Sequence, residues 1–373
     1  MPPPNDPAAA LRRARATAQL LAGRPAGAVD EVARQLLAVQ AQDLRAARLA
    51  VRARTRGLTA EAVNRTLGED GSVVIGWLLR GTLHLVCAED YPWLHGLAAP
   101  TQRQGNLRRL EQCGFTPDRA DRAVAVIERL LEHGPLAREQ IGHELSDRGF
   151  ELRDQALVHL LLRSSLDGGI VRGPLAGGRQ TFVLAGDWLG RRPPARLEGV
   201  ERQRALAELA RRYLRGHGPA CDADLALWAG LPLRDARAGL SAIAAELRQR
   251  ADGTVQLLRT RLRAAEPPPR LLGAFDAYTL GWKDRDFAVP PQQDRAVRSG
   301  GWIRAIATVG GSAVGLWSSR RSGRRLVVEL CLWMEPGEGD LAALAAEADD
   351  VARFEGCAAA DLVVSAAPTQ PAP

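Results

Sequence analysis

Lysine is almost missing from this chain. Of its 50 lysine and arginine residues only Lys283 is lysine, so an amine able to form a Schiff base must come from Lys283 or from the N-terminus. The five cysteines (Cys87, Cys113, Cys221, Cys331 and Cys357) are odd in number, far apart and without a Cys-x-x-Cys spacing. They read as buried small hydrophobes, not as disulfides or zinc ligands. The six histidines lack His-Glu-x-x-His or a similar ligand spacing, and no metal and no cofactor are expected. There is no Walker loop and no Gly-x-Ser-x-Gly elbow, which removes the commonest nucleotide and acyl-transfer signatures. No apolar run approaches the roughly 18 to 20 residues of a spanning helix, and the opening Met1-Pro2-Pro3-Pro4 lacks the basic-then-apolar order of a signal peptide. The expected setting is cytoplasmic, with no membrane partner and a link to the nucleoid.

What the chain does have is size, arginine and a repeat. Its 373 residues, 46% hydrophobic and 25% charged, suffice for two or three domains. The arginine-, alanine- and glycine-rich bias fits a GC-rich coding sequence. The net charge of +7 nonetheless points to a polyanionic partner.

An internal repeat occupies the middle. A helical stretch from about Ala120 to Glu132 runs into His133-Gly134-Pro135, a second helix follows to about Arg148, and a third starts near Leu152-Arg153-Asp154. The same order returns with a helix from about Glu201 to Arg215, then His217-Gly218-Pro219, a short helix through Trp228, and Leu233-Arg234-Asp235. After the first copy, Gly169–Gly173 and Gln180–Leu184 flank Gly177-Gly178-Arg179 and read as a hairpin. Three helices and a hairpin make a winged helix, in which the third helix can enter the major groove and the wing lies along the backbone. Plain protein-interaction modules can share this pattern.

Upstream, a helix from about Ala8 to Leu21, a second through Val39, and β-prone runs at 72–75 and 82–86 suggest a more divergent third unit. Downstream of Pro267-Pro268-Pro269, the runs 302–309, 313–319 and 326–333 predict an antiparallel meander, a helix over 341–354 and a disordered tail. The expected fold class is α+β: tandem winged-helix units over 1–115, 116–197 and 198–266, followed by a C-terminal β subdomain over 267–373.

Two features carry candidate chemistry. The hairpin tip Arg320-Arg321-Ser322-Gly323-Arg324-Arg325 gathers four arginines that repel one another unless a polyanion is near. Together with Arg179 in the wing, these are the candidate DNA contacts; a merely solvated tip is the alternative. In Val39-Gln40-Ala41-Gln42-Asp43, two amides stand at the end of an apolar helix. Positions i and i+2 of an unbroken helix face apart, so Gln40 and Gln42 can converge only if the helix ends or distorts there.

Four pieces resemble the winged-helix DNA glycosylases related to AlkZ and YcaQ: Leu36–Asp43, Trp77–Val86, Phe275–Arg285 and Gly300–Ile303. The resemblance covers most of the chain. The family pattern is Gln, an aliphatic residue, then Gln on the AlkZ side or Asp on the YcaQ side, so Gln40 and Gln42 resemble the AlkZ-like branch, with Ala41 as a minimal aliphatic. The resemblance implies hydrolysis of the N-glycosidic bond of cationic alkylpurines in double-stranded DNA, including lesions left by DNA-alkylating natural products. A 7-alkylguanine is already a good leaving group, so two amide dipoles can suffice to position water and stabilise the developing oxocarbenium. Glutamine is no base at neutral pH, which limits the mechanism to positioning and electrostatics. With one lysine, a monofunctional enzyme is expected, and tandem winged helices in one chain can surround a duplex as a monomer. His84 and Asp276, in two of the four pieces, are further active-site candidates. His84 can line a cleft or face solvent, and Asp276 can instead hold Arg285 or a neighbouring amide. A non-catalytic winged-helix transcription regulator is the alternative function, and an interaction scaffold the third.

Overall fold

A computed structural model describes residues 7–258 and 265–366. They form a mixed α and β structure divided into two compact units. One gathers the N-terminal segment to Val63, Arg212–Leu225 and the chain from Ala245 onward; the other holds Asn64–Arg211 and Ala226–Ala244.

The core of the first unit is a five-stranded sheet. Arg270–Leu272, Ile306–Val309, Ser312–Ser322 and Arg325–Leu332 pair antiparallel in chain order. Gly310 and Gly311, with φ of 55° and 75°, give the left-handed turn that a two-residue hairpin needs. The helix Glu338–Phe354 then turns Leu344, Ala348, Val351 and Ala352 inward at helical spacing and serves as the crossover that a parallel neighbour requires. That neighbour is Ala359–Ala366, paired in parallel with Arg325–Leu332. The tail read as disordered therefore begins with an ordered strand as far as Ala366, built on Leu362-Val363-Val364; residues 367–373 lie outside the described residues.

Helices Pro7–Ala18, Val29–Leu36 and Leu44–Arg52 complete this unit. Arg52 ties the last of them to the sheet layer, its guanidinium donating to the Leu271 carbonyl at 2.7 Å, Glu347 at 2.9 Å and Asp350 at 3.0 Å. Buried and closely paired, this arginine avoids the penalty of an isolated charge. Its carboxylate partner Glu347 is held below the usual range despite burial, because Arg52 and Arg270 face it.

In the second unit the sheet order is Leu83–Cys87, Val73–Trp77, Ile170–Ala176, Arg179–Leu184 and Leu136–Ala137. The first repeat's hairpin closes through Gly177 and Gly178, both with positive φ. Trp77 stacks on Phe182 with ring centroids 6.1 Å apart, joining the two hairpins across the sheet. The long helix Tyr91–Gln112 and helices Pro117–Leu131, Arg138–Asp147 and Ala156–Leu166 complete this unit's core.

The repeat is visible as one element order used twice. Pro117–Leu131, Leu136–Ala137, Arg138–Asp147, Ala156–Leu166 and the hairpin Ile170–Leu184 correspond to Gly199–His217, Asp222–Ala229, Leu233–Ala242 and the hairpin Leu247–Gln249 with Val255–Leu257. A short segment after the first helix pairs with the hairpin's second strand in each: Leu136 with Phe182 in one, Ala220 with Val255 in the other. One boundary differs from expectation. The first copy's third helix begins at Ala156 instead of near Leu152, because Asp154 adopts φ of 50°, outside the helical region.

Candidate active site

The helix carrying the amide pair ends earlier than its apolar pattern suggests. It stops at Leu36, and Leu37, with φ of 65° and no exposed surface, turns the chain. Val39–Gln40 is then a strand, and Asp43 opens the next helix by accepting from the Ala46 amide at 3.0 Å, an N-cap of the usual kind. Between these two fixed points burial alternates: Val39 and Ala41 are buried, Gln40 is half-buried and Gln42 exposed. Gln40 and Gln42 are therefore the two residues of the segment 37–42 that are not buried, with the strand ending at Gln40 and Gln42 in the bend that leads into the next helix. The pair thus stands outside any helix, the condition under which positions i and i+2 are not forced apart. Ala41 is small because it is a core position between two helices, 1% exposed.

His84 lies in the second unit on the strand Leu83–Cys87, opposite Gly76. It is 2% exposed and does not face solvent. Its Nδ1 is 3.0 Å from the Thr82 carbonyl, so that nitrogen carries the proton and Nε2 keeps its lone pair. Burial, followed by the positive charge of Arg80, lowers its pKa to about 3, leaving the ring neutral at physiological pH. The turn before it is built by Arg80 and Gly81, with φ of 55° and 72°. Arg80 is itself brought down to about 10 by burial, and its Nη1 donates to the Trp228 carbonyl.

Asp276 is completely buried in the first unit. Its oxygens accept from Arg54 Nη1 at 2.9 Å and Nη2 at 2.8 Å, and Oδ1 accepts from the Tyr278 amide at 2.8 Å. Arg54 also donates to the Ala50 carbonyl and to Gln19 Oε1, each at 2.8 Å. Asp276 thus starts the short helix Ala277–Leu280 and locks it to the N-terminal helices. Arg285 pairs elsewhere, with Asp294 at 3.2 Å. Sequence reading missed Arg54, which stands 222 residues from its partner with no local signal. Asp43 was legible in principle, as an acceptor residue directly before a helix.

The tip arginines are held by protein groups. Arg320 lies 3.7 Å from Glu329, Arg321 donates to the Glu355 carbonyl at 2.7 Å, and Arg325 makes a forked pair with Asp361 at 2.8 Å. The mutual repulsion expected of the tip is offset by these neighbours. Arg324 occupies the turn itself, exposed beside Gly323. Arg179 is 71% exposed, 3.9 Å from Glu139. One group of three potential metal ligands occurs among the described residues, Cys87, Glu89 and Asp90. Asp90 already accepts from the Trp93 indole at 3.1 Å. No helix among the described residues is long and apolar enough to cross a membrane.

A family model described as "DNA glycosylase AlkZ-like" matches residues 33–354. The chain belongs to this family of DNA glycosylases. Among solved structures it is similar to the Streptomyces sahachiroi DNA glycosylase AlkZ, with a TM-score of 0.76 and 26% identity over 96% of this chain and 99% of that one. No curated protein sequence matches it.

Proposed function

We propose that this chain hydrolyses the N-glycosidic bond of cationic 7-alkylpurines in double-stranded DNA as a monofunctional glycosylase, with Gln40 and Gln42 as the catalytic residues. The non-helical segment between Leu37 and Asp43 supports this reading, because Val39 and Ala41 anchor its backbone in the core while Gln40 is half-buried and Gln42 exposed. Two carbonyl dipoles on a fixed frame can hold a water and face the positive charge that develops on the sugar, with little reorganisation during the reaction. The base departs neutral, so no strong acid is required. His84, neutral and buried, takes no part in proton transfer. Asp276 is assigned to holding the frame through Arg54.

On the same reading the two repeated segments are winged-helix units and the chain acts as a monomer. Arg179, Arg320, Arg321, Arg324 and Arg325 contact the phosphate backbone. Self-resistance to a DNA-alkylating natural product is the setting this substrate class suggests.

The test is base release from a duplex carrying a 7-alkylguanine under single-turnover conditions, with wild type beside Gln40→Ala and Gln42→Ala. Losing one preorganised dipole should slow release by about 10²-fold. Variants as fast as wild type would remove these residues from the mechanism. No release from small or bulky adducts, with DNA binding intact, would favour the regulator.

A further inference from the structure

The two copies of the repeat expose their third helices very differently. No residue of Ala156–Leu166 is exposed. The long helix Tyr91–Gln112 lies over it: Asn106 donates to the His159 carbonyl at 2.9 Å, and His95 Nε2 meets the Ser165 carbonyl at 2.8 Å. Arg163, its one arginine, is paired with Asp121 at 3.1 Å and Asp167 at 2.7 Å. This helix cannot lie in a groove.

Leu233–Ala242 is open instead. Leu233, Arg234, Arg237, Ala238 and Ser241 are exposed, while Asp235, Ala236 and Gly239 are buried, so the open residues form one continuous stripe at helical spacing. The helix has a single acidic residue, Asp235, and that residue is turned inward to Arg202 at 2.7 Å. The outward stripe is therefore basic and carries no acid of its own. Apart from Leu233 and the two arginines it is made of small side chains, which lets a backbone approach closely. The helix is entered from Asp222–Ala229 through the three-residue turn Gly230-Leu231-Pro232, the geometry of a helix-turn-helix. The turn is fastened to another element. Gly230 has φ of 67°, a Cβ there would stand 3.0 Å from the Arg80 amide nitrogen, and the Arg80 side chain donates to the Trp228 carbonyl.

We infer that Leu233–Ala242 is the helix by which the second unit docks on duplex DNA, with Arg234 and Arg237 on phosphates, and that its attachment to Arg80 fixes the His84 hairpin in register with the duplex. The inference rests on the DNA-acting reading only for the identity of the polyanion. The first copy serves as scaffold.

The experiment measures affinity for an unmodified labelled duplex by fluorescence anisotropy across a salt series. Removing two phosphate contacts should make the slope of log affinity against log salt shallower by about 1.8. The Arg234→Gln/Arg237→Gln variant should show that change with an affinity loss of about tenfold or more. The Arg234→Lys/Arg237→Lys variant, which keeps both charges, should restore most of the slope, and this separates a charge effect from misfolding. A wild-type slope in the glutamine variant would overturn the inference, as would equal loss in the lysine variant with unchanged thermal melting. No base is released in this measurement. A chain that binds but releases no base would leave the inference standing and sink the glycosylase mechanism; an active chain indifferent to these arginines would do the opposite.

Discussion

Leu152-Arg153-Asp154 and Leu233-Arg234-Asp235 are the same tripeptide at matching places in two copies of one element order, yet only the second is helical. In the first copy Asp154 takes φ of 50° and the helix starts at Ala156, so the tripeptide becomes a loop and the helix behind it is sealed under Tyr91–Gln112. In the second copy Pro232 precedes the tripeptide with φ of −56° and the helix begins at once at Leu233. Arg234 then stands on an open face, and Asp235 turns inward to Arg202. One element order can therefore present its third helix in two ways, open in one copy and packed into the core in the other.

The largest effect expected from this difference is in stability. Leu160 is fully buried, and Leu160→Ala should cost about 2–5 kcal/mol in urea unfolding, while Ser241→Ala on the open helix should stay within about 0.5 kcal/mol. A loss below about 1 kcal/mol at Leu160 would break the contrast. Next comes Gly230→Ala, which forces a side chain into positive φ and against the Arg80 backbone. It should cost about 1–3 kcal/mol and weaken binding to unmodified duplex; loss of stability without loss of affinity would detach the turn from DNA docking.

The His84 hairpin gives a third, pH-dependent effect. Its folded pKa of about 3 lies below an unfolded value of about 6.5. Well above pH 6.5 neither state takes the proton. Between about 6.5 and about 3 only the unfolded state does, so stability falls as pH falls. The slope from this residue is at most about 1.4 kcal/mol per pH unit. His84→Gln should flatten the acid limb of stability measured between pH 7 and 4, and an unchanged limb would mean that His84 is not neutral in the fold. The smallest effect is at Arg153, exposed and close to Glu151 at 2.7 Å. Arg153→Gln should leave DNA affinity and its salt slope unchanged, and a loss matching that of the Arg234 variants would give both copies the same role.

Much of this was legible before the structure. The Gly-Gly turn of the first hairpin, the repeated element order and the antiparallel strands after Pro269 rest on local signals and are found near them, except that the run 302–309 is divided: Ile306–Val309 joins the large sheet, while Trp302–Ile303 pairs with Arg298–Ser299. The misses share a physical cause. The helix into Gln40 was carried through Val39 because Leu36-Leu37-Ala38-Val39 stays apolar; it ends early at Leu37, a fully buried residue with positive φ, a conformation that local propensity does not announce. The strand Ala359–Ala366 hides in an alanine-rich, proline-ending tail because its partner is remote, at Arg325–Leu332. The tip arginines were read as mutually repelling because Glu329, Glu355 and Asp361 are not next to them in the chain. Of the candidate site, the two amides at a helix end were visible in the sequence and the backbone that carries them was not. An i, i+2 pair faces apart on a helix and together on extended chain, and only the folded backbone decides between them.

In the proposed mechanism two neutral amides, and no titrating group, drive base release. The direct measurement is the ratio of enzymatic to spontaneous release of a 7-alkylguanine from the same duplex under single-turnover conditions, followed from pH 5 to 9. Gln40 and Gln42 do not titrate, and His84 with its pKa near 3 is neutral throughout this range, so the ratio should be flat. A limb with a pKa inside the range that persists in the Gln40→Ala and Gln42→Ala variants would reveal a general acid or base elsewhere and contradict the mechanism.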